Sequence, residues 1–265
     1  MKSKLKIITL IIVAILLITS CAYLIVQFVR AKNQTIQNPV LTLEIENYGN
    51  IKIELYPEYA PNTVKNIIKL AEKGYYDGKV FYGKDDISLY VGRNSEGNID
   101  YPKLSTLEET VTEEDDYEYE IEGEFAANNF NGNTLKHEKG TVSLIRADYT
   151  QLSADLLKES FNSGSSQFTI LTQDERSLNG LYAAFGKVVE GMEIVEQISN
   201  IQVAQTDQEN TQGISIKAFS TFPVIKKATV ETFGYNYGFP KVNKAFDYDG
   251  YIQDLLTQYY KTTEE

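Results

Sequence analysis

The sequence predicts a mainly β protein, a closed or nearly closed β-barrel capped by two helices, set behind a long apolar N-terminal segment. Three observations carry this reading. A period-two hairpin opens the body over residues 41–55, an amphipathic helix follows Pro61, and a second helix follows several strand-like runs after Gly191.

The N-terminal segment comes first. Residues 7–29 hold no charge and are apolar except for Thr9, Thr19, Ser20, Cys21 and Gln27. About 20 residues at a rise of about 1.5 Å span a hydrocarbon core of roughly 30 Å. Lys2, Lys4 and Lys6 precede the run, and Arg30 and Lys32 follow it. That bias favours the N-terminus inside and the body outside. Residues 1–6 then form a cytoplasmic end, 7–29 a transmembrane signal-anchor and 30–39 a polar linker. The expected location is the cell membrane, single-pass, with the large domain extracytoplasmic. A rival reading rests on Ile18-Thr19-Ser20-Cys21, which resembles the lipobox of a bacterial lipoprotein and would make Cys21 a lipidation site. The apolar stretch after Cys21 argues against it, and within a span Cys21 is simply a small apolar residue.

In the body, Leu41, Leu43 and Ile45 alternate with polar residues, residues 47–50 turn, and Ile51, Ile53 and Leu55 alternate again. This is a β-hairpin. Pro61 opens a helix with Val64, Ile67, Ile68 and Ala71 on one face, closed by Gly74. Residues 140–145 and 168–171 read as buried strands, residues 192–198 as the second helix and 224–233 as a closing strand. Residues 234–265 form a tail in which Ile252, Leu255, Leu256 and Tyr259 mark a short amphipathic helix.

Composition removes whole classes of function. The chain of 265 residues has 25 bases and 37 acids, a formal charge of −12; beyond Arg30, 21 bases face all 37 acids, giving −16. Such a surface repels phosphate backbones and excludes nucleic-acid binding. One cysteine excludes an internal disulfide, and one histidine, His137, leaves no Cys/His zinc site. Residues 108–124 hold ten acids and no base. No EF-hand spacing appears there, so the run reads as a solvated acidic loop, with no metal expected.

Several ordered segments resemble the cyclophilin family of peptidyl-prolyl isomerases. They are Ile51-Lys52-Ile53-Glu54-Leu55-Tyr56 with Pro61-Asn62-Thr63-Val64-Lys65-Asn66, then Gly74-Tyr75-Tyr76-Asp77-Gly78 and Gly140-Thr141-Val142-Ser143-Leu144. Gly164-Ser165-Ser166-Gln167-Phe168 and the run from Leu178 to Val188 continue the series, which spans residues 40–233. The resemblance implies a closed eight-stranded barrel with two capping helices, a groove for proline-containing peptide and no cofactor. In the family an arginine donates to the prolyl nitrogen, a glutamine holds the carbonyl, and aromatic and methionine side chains seat the ring.

The site residues depart from that pattern. Phe81 and Gly92 keep the family spacing without a gap, which puts Gly83 at the arginine position, Ser88 at a pocket phenylalanine, Leu89 at the methionine and Val91 at the glutamine. Gln167 stands at the groove glutamine, Thr169 replaces a second pocket phenylalanine, Leu178 is retained, and Tyr182 replaces a histidine. The groove candidates are therefore Phe81, Leu89, Arg146, Gln167, Thr169, Leu178 and Tyr182, with no catalytic residue assigned. Lys84, Arg93 and Arg146 are the cations that could stand in for the arginine, although a lysine cannot copy a guanidinium fork. Residues 148–162 exceed the short loop of compact relatives, and Leu152, Leu156 and Leu157 suggest a helical turn leaning over the groove.

The expected function is an extracytoplasmic domain that binds proline-containing or partly unfolded exported polypeptides, with weak or lost isomerase activity. The alternatives are an active isomerase assisting the folding of exported proteins, and a non-catalytic scaffold at the cell surface.

Overall fold

The computed structural model describes residues 16–23, 37–108, 110–209 and 215–263. The chain divides into two compact units, Met1–Gln37 and Asn38–Glu265. In the first, residues 16–23 form a helix, α1, with Cys21 exposed as a free thiol. Among the described residues no helix is long and apolar enough to cross a membrane. The expected span over 7–29 is described only at 16–23; its remainder lies outside the described residues.

The second unit opens with β1 (Val40–Ile45) and β2 (Gly49–Leu55), paired antiparallel from Val40↔Glu54 to Ile45↔Gly49. Leu41, Leu43, Ile45, Ile51, Ile53 and Leu55 all point into the core, as period two requires. Asn47 and Gly49 take the positive φ values, 65° and 114°, that reverse the chain. Helix α2 (Pro61–Glu72) starts with Pro61 in its first turn and buries Val64, Ile67, Ile68, Leu70 and Ala71.

The remaining strands are β3 (Val80–Lys84), β4 (Ser88–Arg93), β5 (Tyr119–Glu120), β6 (Thr141–Leu144), β7 (Phe168–Leu171), β8 (Ala184–Glu190), β9 (Val203–Glu209), β10 (Ser215–Phe219), β11 (Ile225–Glu231) and β12 (Asn243–Lys244). Short helices α3 (Leu104–Leu107) and α4 (Leu157–Phe161), the capping helix α5 (Met192–Ser199) and a C-terminal helix α6 (Tyr248–Thr263) complete the unit. Ten strands join in the order β11-β1-β2-β8-β6-β7-β4-β3-β10-β9, and β12 pairs with β5 apart from them.

The expected closed eight-stranded barrel is corrected here: the main sheet has ten strands and does not close. The reason lies in how the outer edge of β3 is shared. Its start meets the approach to β11 through the isolated bridge Val80↔Val224 and a 2.9 Å bond from Phe81 N–H to the Pro223 carbonyl. Its end pairs Gly83 with Ala218 and Lys84 with Lys217 on β10 instead. The hairpin β9–β10 thus occupies the edge that a closing ladder would need.

The main core lies on one face of this sheet. Phe168 sits at its centre, edge-on to Tyr76 at 5.7 Å and to Phe185 at 6.1 Å between ring centroids. Phe81, Leu89 and Val91 are buried in the same cluster.

The acidic run is not wholly solvated. Glu124 is buried against the start of α2, accepting 2.8 Å bonds from Asn62 N–H, Thr63 N–H and the Thr63 hydroxyl. Ala60, at the cap position, supplies no side-chain bond, so this distant carboxylate satisfies the helix's first donors.

Within residues 148–162, Leu152, Leu156 and Leu157 do not line the groove, although Phe161 at the end of the same segment packs on Arg146 at 5.0 Å. Tyr149 and Leu156 are buried with Ala147 beneath Phe246, Tyr248 and Tyr251, tying this segment to the start of α6. Beyond Tyr251, Leu255, Leu256 and Tyr259 remain exposed.

Candidate functional site

Three neighbouring strands, β6, β7 and β4, present Ser143, Thr169 and Tyr90 in a row, because Ser143 pairs with Thr169 and Thr169 with Tyr90. In each strand the adjacent residues, Val142 and Leu144, Phe168 and Ile170, Leu89 and Val91, belong to the buried core. Strand alternation therefore sends a row of hydroxyl groups to the outer face. A cavity of about 240 Å³ lies over this row, bounded by Ser88, Ile87, Asp85, Ile145, Arg146, Leu178 and Tyr182.

The cavity is rigidly framed. Asp85 closes the β3–β4 turn by accepting from Ile87 N–H at 2.8 Å and Ser88 N–H at 2.6 Å, and its second oxygen accepts from the Tyr90 hydroxyl at 2.8 Å. Burial first, and Asp85 second, push the Tyr90 phenol far above its usual range, so it stays a donor. Arg146 lies 4.7 Å from the Tyr182 ring centroid, 5.0 Å from Phe161 and 5.7 Å from Phe125, and its Nε donates to the Leu181 carbonyl at 3.3 Å.

Behind the row, Ser143 Oγ lies 2.7 Å from His137 Nε2, and His137 Nδ1 lies 3.1 Å from Asn179 Oδ1. Burial lowers the His137 pKa and the Asn179 contact partly opposes it, so the imidazole is held neutral. With Nδ1–H donating to Asn179, Nε2 accepts from the Ser143 hydroxyl. The cavity wall is anchored to the Leu178–Tyr182 turn in this way.

Of the seven groove candidates, Arg146, Thr169, Leu178 and Tyr182 line this cavity. Phe81 and Leu89 lie in the hydrophobic core, on the opposite face of their strands. Gln167 is buried beside Gly92, and its Oε1 has no hydrogen-bond partner among the described residues. Ser88, the position given to a pocket phenylalanine, also lines the cavity, and Asp85, Tyr90 and Ser143 join it with no signal in the sequence. The 148–162 segment is not part of the lining.

Comparison with known proteins decides the family. The model described as "Cyclophilin type peptidyl-prolyl cis-trans isomerase/CLD" matches residues 40–221. The chain belongs to the cyclophilin-type peptidyl-prolyl cis-trans isomerase family. It is 33% identical over 156 residues to peptidyl-prolyl cis-trans isomerase B of Bacillus subtilis, covering 59% of this chain and 87% of that one. It is 26% identical over 155 residues to peptidyl-prolyl cis-trans isomerase-like 2 of Gibberella zeae, covering 58% of this chain but only 22% of that longer protein. A crystal structure of a Cryptosporidium parvum cyclophilin-type isomerase shares the fold at a TM-score of 0.50 and 20% identity, covering 73% of this chain and 97% of that one.

In this cyclophilin-type chain Gly83, the position that the sequence resemblance gives to the family arginine, is packed closely against β10. A Cβ placed on Gly83 would lie 2.7 Å from Ile216 Cγ2 and 2.8 Å from the Lys217 carbonyl oxygen, both on β10. Glycine is needed where another strand approaches this closely. The neighbouring cations are engaged elsewhere. Lys84 Nζ donates to the Ser199 carbonyl at the end of α5. Arg93 stacks on Tyr82 with its Cζ 4.0 Å from the ring centroid and donates from Nη1 to the Gly97 carbonyl at 3.2 Å. Among the lining residues, Arg146 carries the positive charge.

Proposed function

We propose that this protein is a membrane-anchored, extracytoplasmic cyclophilin-like domain that binds proline-containing or partly unfolded exported polypeptide, with catalysis weak or lost. The observation that carries the catalytic part is the packing of β10 on Gly83. An X–Pro bond rotates over a barrier of roughly 18–20 kcal/mol, because twisting destroys amide resonance. Lowering it requires groups that bind the twisted state better than either planar one. A donor aimed at the prolyl nitrogen is such a group, and losing one preorganised donor typically costs about 10²–10³ in rate. The cavity retains the means to hold polypeptide: Leu178 and Tyr182 supply apolar surface, and Thr169, Ser88 and Arg146 supply polar contacts.

The working-isomerase reading keeps one observation in its favour, since Arg146 borders the cavity. A protease-coupled proline isomerisation assay separates the two readings. Activity at background with retained binding of proline peptides supports the proposal; strong activity abolished by Arg146→Ala assigns the arginine's role to Arg146. Absence of both activity and peptide binding would leave the scaffold reading.

Anchoring rests on the uncharged run of residues 7–29 and its flanking bases. The expected result is a membrane-fraction protein whose body is cut by external protease in intact cells. Full protection of the body contradicts this orientation. Cys21→Ala is expected to change the mass only by the substituted side chain and to leave anchoring unchanged, whereas in a lipoprotein it would remove the mass of the lipid as well.

A further inference from the structure

A second cavity, of about 500 Å³, shares no residue with the first. It forms where β12 pairs with β5, Asn243 opposite Glu120 and Lys244 opposite Tyr119, laying the chain before α6 along the acidic run. Five carboxylates and two lysines line it, a formal excess of three negative charges. The lysines, Lys103 and Lys244, are exposed, and neither forms an ion pair with a described residue.

Two largely buried side chains present free polar atoms to this space. Glu120 is 6% exposed and Tyr149 is 7% exposed, yet both border open space. One Glu120 oxygen accepts from Phe246 N–H at 3.2 Å; the other has no partner among the described residues, and neither does the Tyr149 hydroxyl. Burial, with Glu118 adding to it, pushes the Glu120 pKa up to about 7 despite that backbone bond. A carboxyl in this setting keeps its proton up to near neutral pH, and a cation seated beside it would draw it into the ionised form. The walls beside it are aromatic: Tyr149 packs on Phe246 at 5.0 Å and on Tyr248 at 5.8 Å, and Tyr101 and Tyr117 border the same space.

A buried acid, phenolic oxygens and aromatic faces together suit a cation on an aliphatic stem: the charge pairs with the acid and the stem lies on the rings. Three or more carboxylates converging on a metal ion are not found among the described residues. We propose that this cavity binds an alkylammonium group, the chemistry of a lysine side chain, with its charge on Glu120 and its methylenes against Tyr149, Phe246 and Tyr248. The proposal is independent of the reading given to the first cavity.

Calorimetric titration of the full chain tests it, with three probes: the blocked tripeptide acetyl-Ala-Lys-Ala-amide, its Gln counterpart, and free cadaverine. The lysine peptide is expected to bind at least tenfold tighter than the glutamine peptide. Glu120→Gln is expected to erase that preference, and Tyr248→Ala, on a half-buried wall, to weaken it severalfold. Glu113→Gln, in the acidic run but outside the cavity, is expected to leave it intact. Binding of cadaverine alone would identify the ligand as a free amine rather than a side chain, within the same chemistry. Equal binding of both peptides, or an equal loss on Glu113→Gln, would reduce the effect to diffuse surface charge and overturn the proposal. So would the absence of binding by all three probes.

Discussion

At Gly83 one missing side chain links packing to chemistry. Because a Cβ there meets a backbone oxygen at 2.8 Å, Gly83→Arg is expected to disrupt β10 rather than restore a donor. Overpacking of this kind costs about 1–3 kcal/mol, so thermal unfolding should shift downward while isomerase activity stays flat. A variant that keeps its stability and gains activity would show that β10 yields easily. Glu124 gives the complementary case, a carboxylate whose partners are all at one helix start. Glu124→Ala leaves Asn62 N–H and Thr63 N–H without acceptors, and a loss of about 2 kcal/mol is expected in denaturant unfolding. An effect below about 0.5 kcal/mol would mean that the cap contributes little.

The same scale carries a pH dependence with two opposing parts. His137 is held below its ordinary value of 6.5, so the unfolded chain takes up that proton first. Its contribution to stability is complete above about pH 6.5 and is lost as the pH falls below it. Glu120 runs the other way, from an ordinary 4.5 up to about 7. Its contribution is complete below pH 4.5 and is lost as pH rises through about 7. Glu120→Gln should therefore be more stable than the parent at pH 8, by up to about 3 kcal/mol, and similar to it at pH 4. Parallel stability curves for parent and variant across that range would remove Glu120 from the account.

Among elements, the hairpin β9–β10 determines most of what distinguishes this molecule. Ile216 is buried with Val80, Tyr82, Tyr90 and Ile145, so it fastens the hairpin to the outer face of β3 and β4. Ile216→Ala is expected to cost about 2–4 kcal/mol and to speed amide exchange at Lys84 while β1 and β2 stay protected. Unchanged exchange at β3 would show that the hairpin is held by other means. The parts of the fold legible in the sequence are those with local period. The β1–β2 hairpin, α2 and α5 each declare a buried face within a dozen residues. The β9–β10 pairing declares nothing locally, because its partner edge lies far back in the chain, and so the open sheet was not legible. The same distinction holds at the cavity. Thr169, Leu178 and Tyr182 could be placed by family resemblance, whereas Tyr90 and Ser143 depend on which face of β4 and β6 turns outward. Leu89 and Phe81 mislead for that reason: taken as groove candidates from the resemblance, they lie in the core.

For the whole molecule, family membership is shown and catalytic competence is the open chemical question. The proposed peptide groove rests on the ten-stranded sheet, helices α2 and α5, and the cavity over β6, β7 and β4. On the proposed reading, the positions that the family resemblance gives to the arginine and the glutamine cannot serve a twisted prolyl bond, since Gly83 lies against β10 and Val91 lies in the core. The most direct measurement is the protease-coupled isomerisation rate of residues 38–265, which form a compact unit, beside that of the Bacillus subtilis relative under the same conditions. The account predicts a catalysed rate at least about 100-fold lower in this chain, the size of one lost donor. A rate within about tenfold of the relative, abolished by Arg146→Ala or Lys84→Ala, would contradict it by showing that another cation performs the arginine's task.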